Sequence, residues 1–167
     1  MKVHSLNLPL TEQEISSLKI GDKVLLSGIL FTARDAAHRR LYSMLSEGTN
    51  IPFELNNAAI FYCGPSPTPP GRVCGAIGPT TSARMDRYSP LLIERGMKVM
   101  IGKGERSEVV QACIHDHRAV YLTCLGGVSA LLSEAIVSCE TFLWEELGTE
   151  AVFKLVVLDL PCYVAYL

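Results

Sequence analysis

The stretch KVLLSGILFTARDAAHRRLYSMLSEG, residues 23–48, combines a strand and a helix. Its first part, 23–33, is rich in branched apolar residues, which is typical of a buried strand. In the second part apolar residues recur at helical spacing, namely Leu41, Met44 and Leu45, before Gly48 ends the pattern. A strand that leads directly into a helix is the building unit of α/β folds, so this stretch predicts the fold class.

The same alternation continues through the middle of the chain. Further strands are predicted at 58–64, 73–79, 98–102 and 119–125. Helices are predicted at 82–96, with a kink at Pro90, at 107–117, and at 126–136, where Gly126 and Gly127 open the helix. This order predicts a mostly parallel central sheet with flanking helices. The segments 137–147 and 151–160 resemble antiparallel strands, so a second, antiparallel sheet is expected.

Composition limits the classes of function. At 167 residues the chain is predicted to form one domain, residues 1–167. A net charge of −2 argues against a nucleic-acid partner, which usually selects a basic surface. No apolar stretch of about 18 residues and no signal peptide are found, so no membrane partner is expected and a cytoplasmic location follows.

The cysteines do not form a metal-binding pattern. Six of them are spread over the sequence: Cys63, Cys74, Cys113, Cys124, Cys139 and Cys162. None belongs to a Cys-x-x-Cys pair, so an iron–sulfur cluster held by this chain alone is not expected. His115-x-His117 stands at a predicted helix end without a cluster of carboxylates or cysteines beside it, and is predicted to be a surface pair. The interpretation that needs no functional role is that the six cysteines are small buried side chains with free thiols.

Strand-to-helix turns are where α/β proteins bind ligands, and three turns carry unusual residues. Arg34 follows the first long strand, although a charge at a helix end is common and means little by itself. In GPTTSARMDRY, residues 78–88, Thr80 and Thr81 fall at a helix start, and Arg84 is spaced to point back at them. A plain helix cap explains one hydroxyl but not this combination. Lys103 stands between two glycines, without the spacing of a nucleotide-binding loop.

If these turns converge, they form a site with the side chains of Arg34, Arg84, Lys103, Thr80 and Thr81. Such a site suits a small ligand with two carboxylates, because arginine guanidinium groups match carboxylates in a bidentate way. The predicted site has no strong base of its own.

Six motifs in this order resemble the β subunit of iron–sulfur-dependent hydro-lyases, the class I fumarases and L(+)-tartrate dehydratases. They are FTARDAAHRR (31–40), YCGP (62–65), GPTTSARMD (78–86), GKG (102–104), WEELGTEAVF (144–153) and LPCYV (160–164). The resemblance covers most of the chain. It implies a swivelling β/β/α domain with a mostly parallel sheet, a second antiparallel sheet and flanking helices.

The resemblance also implies that this chain and a partner subunit contribute different parts of the active site. A partner α subunit would hold a [4Fe–4S] cluster through its own cysteines, and this chain alone would bind none. The expected assembly is an α/β hetero-oligomer, with a homodimer of the isolated chain as the alternative. By motif position, Arg34, Arg84 and Lys103 would bind the substrate carboxylates. Thr80, with Thr81 beside it, would be the candidate general base, assisted by a carboxylate of the partner because threonine is a weak base.

The predicted function is therefore the β subunit of a fumarate hydratase, which interconverts fumarate and malate. Tartrate dehydration is the nearest alternative, since the substrates malate and tartrate differ by one hydroxyl. Fumarate is preferred because that activity is more widespread in the family. An alternative from another class is a non-catalytic module that binds dicarboxylates or partner proteins.

Overall fold

The computed structural model describes residues 1–125 and 129–167. Seven strands are present: β1 (Val3–Asn7), β2 (Lys23–Thr32), β3 (Ala59–Phe61), β4 (Val99–Gly102), β5 (Val120–Thr123), β6 (Ile136–Leu143) and β7 (Val152–Tyr166). The α-helices are α1 (Glu12–Ser17), α2 (Asp35–Ser46), α3 (Ser89–Glu94), α4 (Glu108–Asp116) and α5 (Ser129–Glu134). Two 3-10 segments span Ser82–Met85 and Glu145–Glu150. The mixed α/β class predicted from the sequence is confirmed.

All seven strands belong to one sheet, in the order β1-β2-β3-β4-β5-β7-β6. The strands β1 to β5 pair in parallel along this order. The 15-residue strand β7 pairs antiparallel with β5 and also with β2. Because β7 pairs with both β2 and β5, the sheet closes into a barrel of β2, β3, β4, β5 and β7, and β1 pairs with β2 outside this ring.

The prediction of a second, separate antiparallel sheet was wrong. The antiparallel strands β6 and β7 are present, but both are hydrogen-bonded into the same sheet as the parallel strands. Their sequences were interpreted correctly as strands. What the sequence did not reveal is that β7 is long enough to reach β2, β5 and β6.

Alternate side chains of the barrel strands fill two different cores. In β3, Ala59 and Phe61 point into the cluster inside the barrel, whereas Ile60 points to the cluster under the helices. The same alternation places Ile101 inside and Met100 outside. Strands β3 and β4 are buried on both faces, which explains their continuous apolar sequences.

Two local predictions were wrong. Residues 73–79 form no strand: the chain runs through an irregular loop, and Pro79 makes an isolated bridge with Cys63. The helix predicted at 82–96 is divided into the 3-10 segment and α3, and Pro90 lies in the first turn of α3, where its missing N–H costs nothing.

The predicted opening of a helix by Gly126 and Gly127 lies outside the described residues. No described helix has the length and apolar character needed to cross a membrane.

His38 is a fully buried polar residue in the outer core. Its Nδ1–H donates to the Arg34 carbonyl oxygen at 2.9 Å, and no described residue forms a hydrogen bond with its Nε2. Burial lowers the pKa of His38 to about 4. The folded protein therefore holds a neutral imidazole at pH values where the unfolded chain would protonate it.

This burial predicts a specific loss of stability in acid. Because the folded pKa lies below the unfolded value, unfolding takes up a proton between these two values, and the free energy of unfolding falls as the pH falls. Lowering the pH from 7 to 4.5 should cost about 2 kcal/mol through His38 alone. We expect His38→Gln to remove that part of the difference, as measured by urea unfolding at both pH values.

The matched control is His115→Gln, since His115 is exposed at the end of α4. That variant should keep the pH dependence of the wild type. An unchanged pH dependence in His38→Gln would show that another group causes the acid sensitivity.

Candidate active site

The candidate site lies at one edge of the barrel, where the parallel strands β2, β3, β4 and β5 all end. Their carboxyl ends share this edge because neighbouring strands run in the same direction. The turn after β2 carries Arg34 and Asp35, and the turn after β4 carries Lys103. Crevices at this edge are the usual ligand sites of parallel α/β sheets.

The Gly-Pro-Thr-Thr turn lies between the ends of β3 and β4. The Thr80 N–H donates to the Tyr62 carbonyl oxygen at 2.7 Å, and the Ser82 N–H donates to the Lys103 carbonyl oxygen at 3.0 Å. Thr81 and Lys103 form an isolated parallel bridge. Residues 79–82 thus act as a short extra piece of sheet, which ties the threonines to the Lys103 turn.

A close approach between Ser82 and Gly102 holds the two turns together. The buried Ser82 Oγ accepts a hydrogen bond from the Lys103 N–H at 3.1 Å and lies 2.8 Å from the Tyr121 hydroxyl. A Cβ atom on Gly102 would lie 2.0 Å from this Oγ, so only glycine allows the contact. Burial raises the pKa of Tyr121 to about 12, which keeps its hydroxyl protonated as a donor.

Arg84 connects two of the turns directly. Its Nη2 donates to the Asp35 carboxylate at 2.8 Å and to the Thr80 hydroxyl at 3.3 Å. The side chain remains 46% exposed, so its other donors can reach a ligand. One guanidinium group therefore links a carboxylate from the β2 turn with a threonine hydroxyl from the Gly-Pro turn.

Arg34 is held against the backbone of the neighbouring turn. Its Cδ and Nη1 lie 2.9 and 3.1 Å from the position that a Cβ of Gly64 would occupy. The same position lies 2.4 Å from the Thr149 carbonyl oxygen, so a side chain at residue 64 would collide with both. The Arg34 Nε is buried and has no hydrogen-bond partner among the residues that the structure describes. A ligand or a partner protein that completes the site would supply the hydrogen-bond acceptor that this buried N–H needs.

A buried ion pair between Arg106 and Asp86 stabilises the segment next to this edge. Arg106, whose side chain is fully buried, donates to Asp86 at 2.6 Å and to Ser89 at 2.7 Å. Its guanidinium lies 5.2 and 4.9 Å from the ring centroids of Tyr62 and Tyr121. This network is satisfied internally, so its role is to hold the 82–89 segment in place rather than to bind a ligand.

The predicted site residues occupy neighbouring turns of this edge. Thr80 contacts Arg84 directly, Thr81 is the bridge partner of Lys103, and Arg34 precedes the aspartate that pairs with Arg84. The side chains of Thr81, Arg84 and Lys103 are exposed, as ligand-binding groups must be. Three cations and one carboxylate give the site a positive balance, which suits an anionic ligand.

Sequence reasoning missed the roles of Asp35 and Ser82. Asp35 is not among the predicted site residues, although its position next to Arg34 was a usable signal. Ser82 is not among them either, and its partners, Lys103 and Tyr121, are distant in sequence. Nothing in the sequence near Tyr121 indicates a role in this edge.

The described residues offer no group of three or more His, Cys, Asp or Glu side chains that could hold a metal ion. All six cysteines are free thiols, and five of them are buried, with Cys139 partly exposed. The side chains described at this edge are mainly cations and hydroxyls, which can form hydrogen bonds with the oxygen atoms of an anionic ligand.

Comparison with known proteins identifies one family profile and several similar proteins. The sequence profile described as Fumarase C-terminus matches residues 1–166. "Fumarate hydratase class I, anaerobic" of Escherichia coli K12 is 36% identical over 163 residues, which cover 95% of this chain and 30% of that protein. "Fumarate hydratase 2" of Leishmania major is 37% identical over 154 residues, 91% of this chain and 27% of that protein.

A shorter relative matches over most of its own length. "Putative L(+)-tartrate dehydratase subunit beta" of Methanocaldococcus jannaschii is 37% identical over 151 residues, 87% of this chain and 77% of that protein. In contrast, the chain spans under a third of the length of the two fumarate hydratases. The profile match extends over nearly all of the sequence, including every turn of the candidate site. The chain therefore belongs to the Fumarase C-terminus family.

Proposed function

We propose that this chain is the β-subunit part of a fumarate hydratase, a hydro-lyase that adds water to fumarate and removes it from malate. The observation that carries the proposal is the Arg84 guanidinium, which donates to Thr80 and Asp35 at an exposed, positively charged edge. The names of the relatives support the reaction class. The chain would act together with a partner subunit or domain.

The cations would bind the two carboxylates of the substrate. Arg34, Arg84 and Lys103 come from different turns, so they can approach a dicarboxylate from different directions. Arg34 supports this role with its buried Nε, which has no hydrogen-bond partner in the described parts of the chain, 1–125 and 129–167. A guanidinium group binds a carboxylate through two parallel hydrogen bonds and thereby fixes its orientation.

Thr80 would move the proton. In the dehydration direction, its oxygen would take a proton from the carbon next to a carboxylate as its own hydroxyl proton passes to a carboxylate of the partner. The substrate hydroxyl would leave as water once it is protonated. A threonine hydroxyl is a weak base, and the hydrogen bond from Arg84 stabilises negative charge on its oxygen. Thr81 lies beside it and is exposed. A carboxylate of the partner would assist the proton transfer.

The partner would supply a [4Fe–4S] cluster through its own cysteines. When bound, such a cluster acts as a Lewis acid toward the substrate hydroxyl and one carboxylate. The donor set at this edge supports that arrangement, because its cations suit substrate oxygens and its described residues offer no set of metal ligands. We further propose that this domain swivels over the cluster to close the site.

Dehydration of L(+)-tartrate is the second candidate. The relative from Methanocaldococcus jannaschii, named as a tartrate dehydratase subunit beta, is similar to this chain in extent, since the match covers 77% of it. Malate and tartrate share the carboxylates that the cations would bind and differ at one carbon. The chemistry of the described site is compatible with both.

The direct test is turnover by the assembled complex. The chain is combined anaerobically with its cluster-bearing partner, and malate, fumarate and L(+)-tartrate are compared as substrates. We expect the highest kcat/KM for malate and fumarate. Faster turnover of tartrate would establish the second candidate, and binding of dicarboxylates without turnover of any of them would indicate a non-catalytic module.

The guanidinium group of Arg84 can be removed while an unbranched apolar stem is kept. We expect Arg84→Met to cost about 2–4 kcal/mol in transition-state binding, because a charged hydrogen-bonding partner is lost. This corresponds to a fall in kcat/KM of roughly 30- to 1000-fold. Steady-state kinetics of the complex measures it. Arg87→Met is the matched control, since Arg87 is exposed and stacks on Tyr88, and a loss below about threefold in Arg84→Met would remove Arg84 from the site.

The two threonines can be distinguished by removing each hydroxyl separately. If Thr80 moves the proton, Thr80→Val should lower kcat by about 100-fold or more and change KM little. Thr81→Val should have the smaller effect on kcat. The reverse order of effects would make Thr81 the base, and two variants with wild-type kcat would exclude both threonines from the proton transfer.

A further inference from the structure

We propose that Asp35 is a positioning residue, which holds the Arg84 guanidinium in the orientation that serves Thr80 and the substrate. The inference rests on the proposed function and adds a residue to it. Asp35 accepts a hydrogen bond from Arg84 Nη2 at 2.8 Å, and the same nitrogen donates to the Thr80 hydroxyl at 3.3 Å. The pair joins residues that are 49 positions apart in the sequence.

The chemistry of arginine defines what Asp35 can do. A guanidinium group has five N–H donors and no acceptor, and it stays protonated in proteins. A proton therefore does not pass from Thr80 through Arg84 to Asp35. The carboxylate acts by fixing one edge of the guanidinium, so that Nη2 stays on Thr80 and the remaining donors face outward.

Asp35 is itself held rigidly. It is in the first turn of α2, a 12-residue helix whose start is fixed by several contacts. The Ala36 N–H donates to the Glu150 carboxylate at 3.3 Å, and both the backbone N–H and the Nδ1–H of His38 donate to the Arg34 carbonyl oxygen at 2.9 Å. The Asp35 side chain is 28% exposed, against 46% for Arg84. Asp35 is therefore the more buried partner of the pair, and it orients Arg84.

Asp35 also changes the charge balance of the site. Its carboxylate lies beside the proposed binding position of a dianionic substrate, where a negative charge weakens ground-state binding. A site with three cations tolerates this repulsion. We infer that the orientation of Arg84 during the reaction outweighs this loss of substrate binding, which explains why a carboxylate is present here.

Two substitutions separate orientation from charge. Asp35→Asn keeps an oxygen that accepts from Arg84 but removes the negative charge, whereas Asp35→Ala removes both. We expect Asp35→Ala to lower kcat by about tenfold or more, because a misplaced guanidinium no longer supports Thr80. Asp35→Asn should restore kcat to within about threefold of the wild type and should lower KM, since the repulsion of the substrate is gone.

A merely structural role would give a different pattern. An aspartate in the first turn stabilises a helix through its charge, and Asn and Ala both lack that charge. If this were the only role, the two variants would have the same kcat. Glu108→Ala is the matched control, because Glu108 is an exposed acidic residue in the first turn of α4 and is not among the proposed site residues. It should leave kcat unchanged.

A second measurement does not depend on turnover. A guanidinium held by a carboxylate rotates slowly about its Nε–Cζ bond, so ¹⁵N NMR of the chain should show two separate Arg84 Nη signals, assigned by their loss in Arg84→Lys. Asp35→Ala should merge them, and Asp35→Asn should keep them apart. A single averaged signal in the wild type, or equal kcat in the two Asp35 variants, would overturn the inference. A complex that is inactive on every dicarboxylate but shows the NMR pattern would overturn the proposed function alone.

Discussion

Closure of the sheet by β7 is the constraint on which the rest of the structure depends. This strand pairs with β2 along most of its length and with β5 near its end. The parallel strands between them are then forced into a ring, and their carboxyl ends form one rim. The turns carrying Arg34, Thr80 and Lys103 follow or contact the neighbouring strands β2, β3 and β4, so they lie side by side on this rim.

The rim is built so that rigid groups orient exposed ones. The buried contacts of Ser82, Gly102 and Tyr121 fix the turns, and the Arg106–Asp86 pair fixes the segment that follows. The exposed arginine is oriented by hydrogen bonds to a carboxylate and a hydroxyl. This arrangement suits a site that must hold small anions in a defined orientation, because the cost of ordering the binding groups is met during folding.

Much of the local structure could be predicted because it depends on local sequence. The β2–α2 unit follows from apolar periodicity, and the residues proposed to bind carboxylates follow from their positions after strands. The strand expected at 73–79 and the helix expected at 82–96, with a kink at Pro90, both differ from the structure for a related reason. The Gly-Pro turn is held by Tyr62 and Lys103, and these tertiary hydrogen bonds override the local preference of the segment. Family resemblance supplied the functional hypothesis, which spacing alone would have left at an anion site.

By itself, the sequence determined the fold class, most of the strands and helices, and the kinds of side chain available for chemistry. Only the tertiary structure decided that the antiparallel strands complete a single closed sheet and that Asp35 faces Arg84 rather than solvent. The physical reason is that hydrophobic periodicity records which face of an element is buried, whereas strand partners and ion pairs depend on backbone hydrogen bonds between segments far apart in the chain. Those long-range contacts leave no local pattern from which they could be predicted.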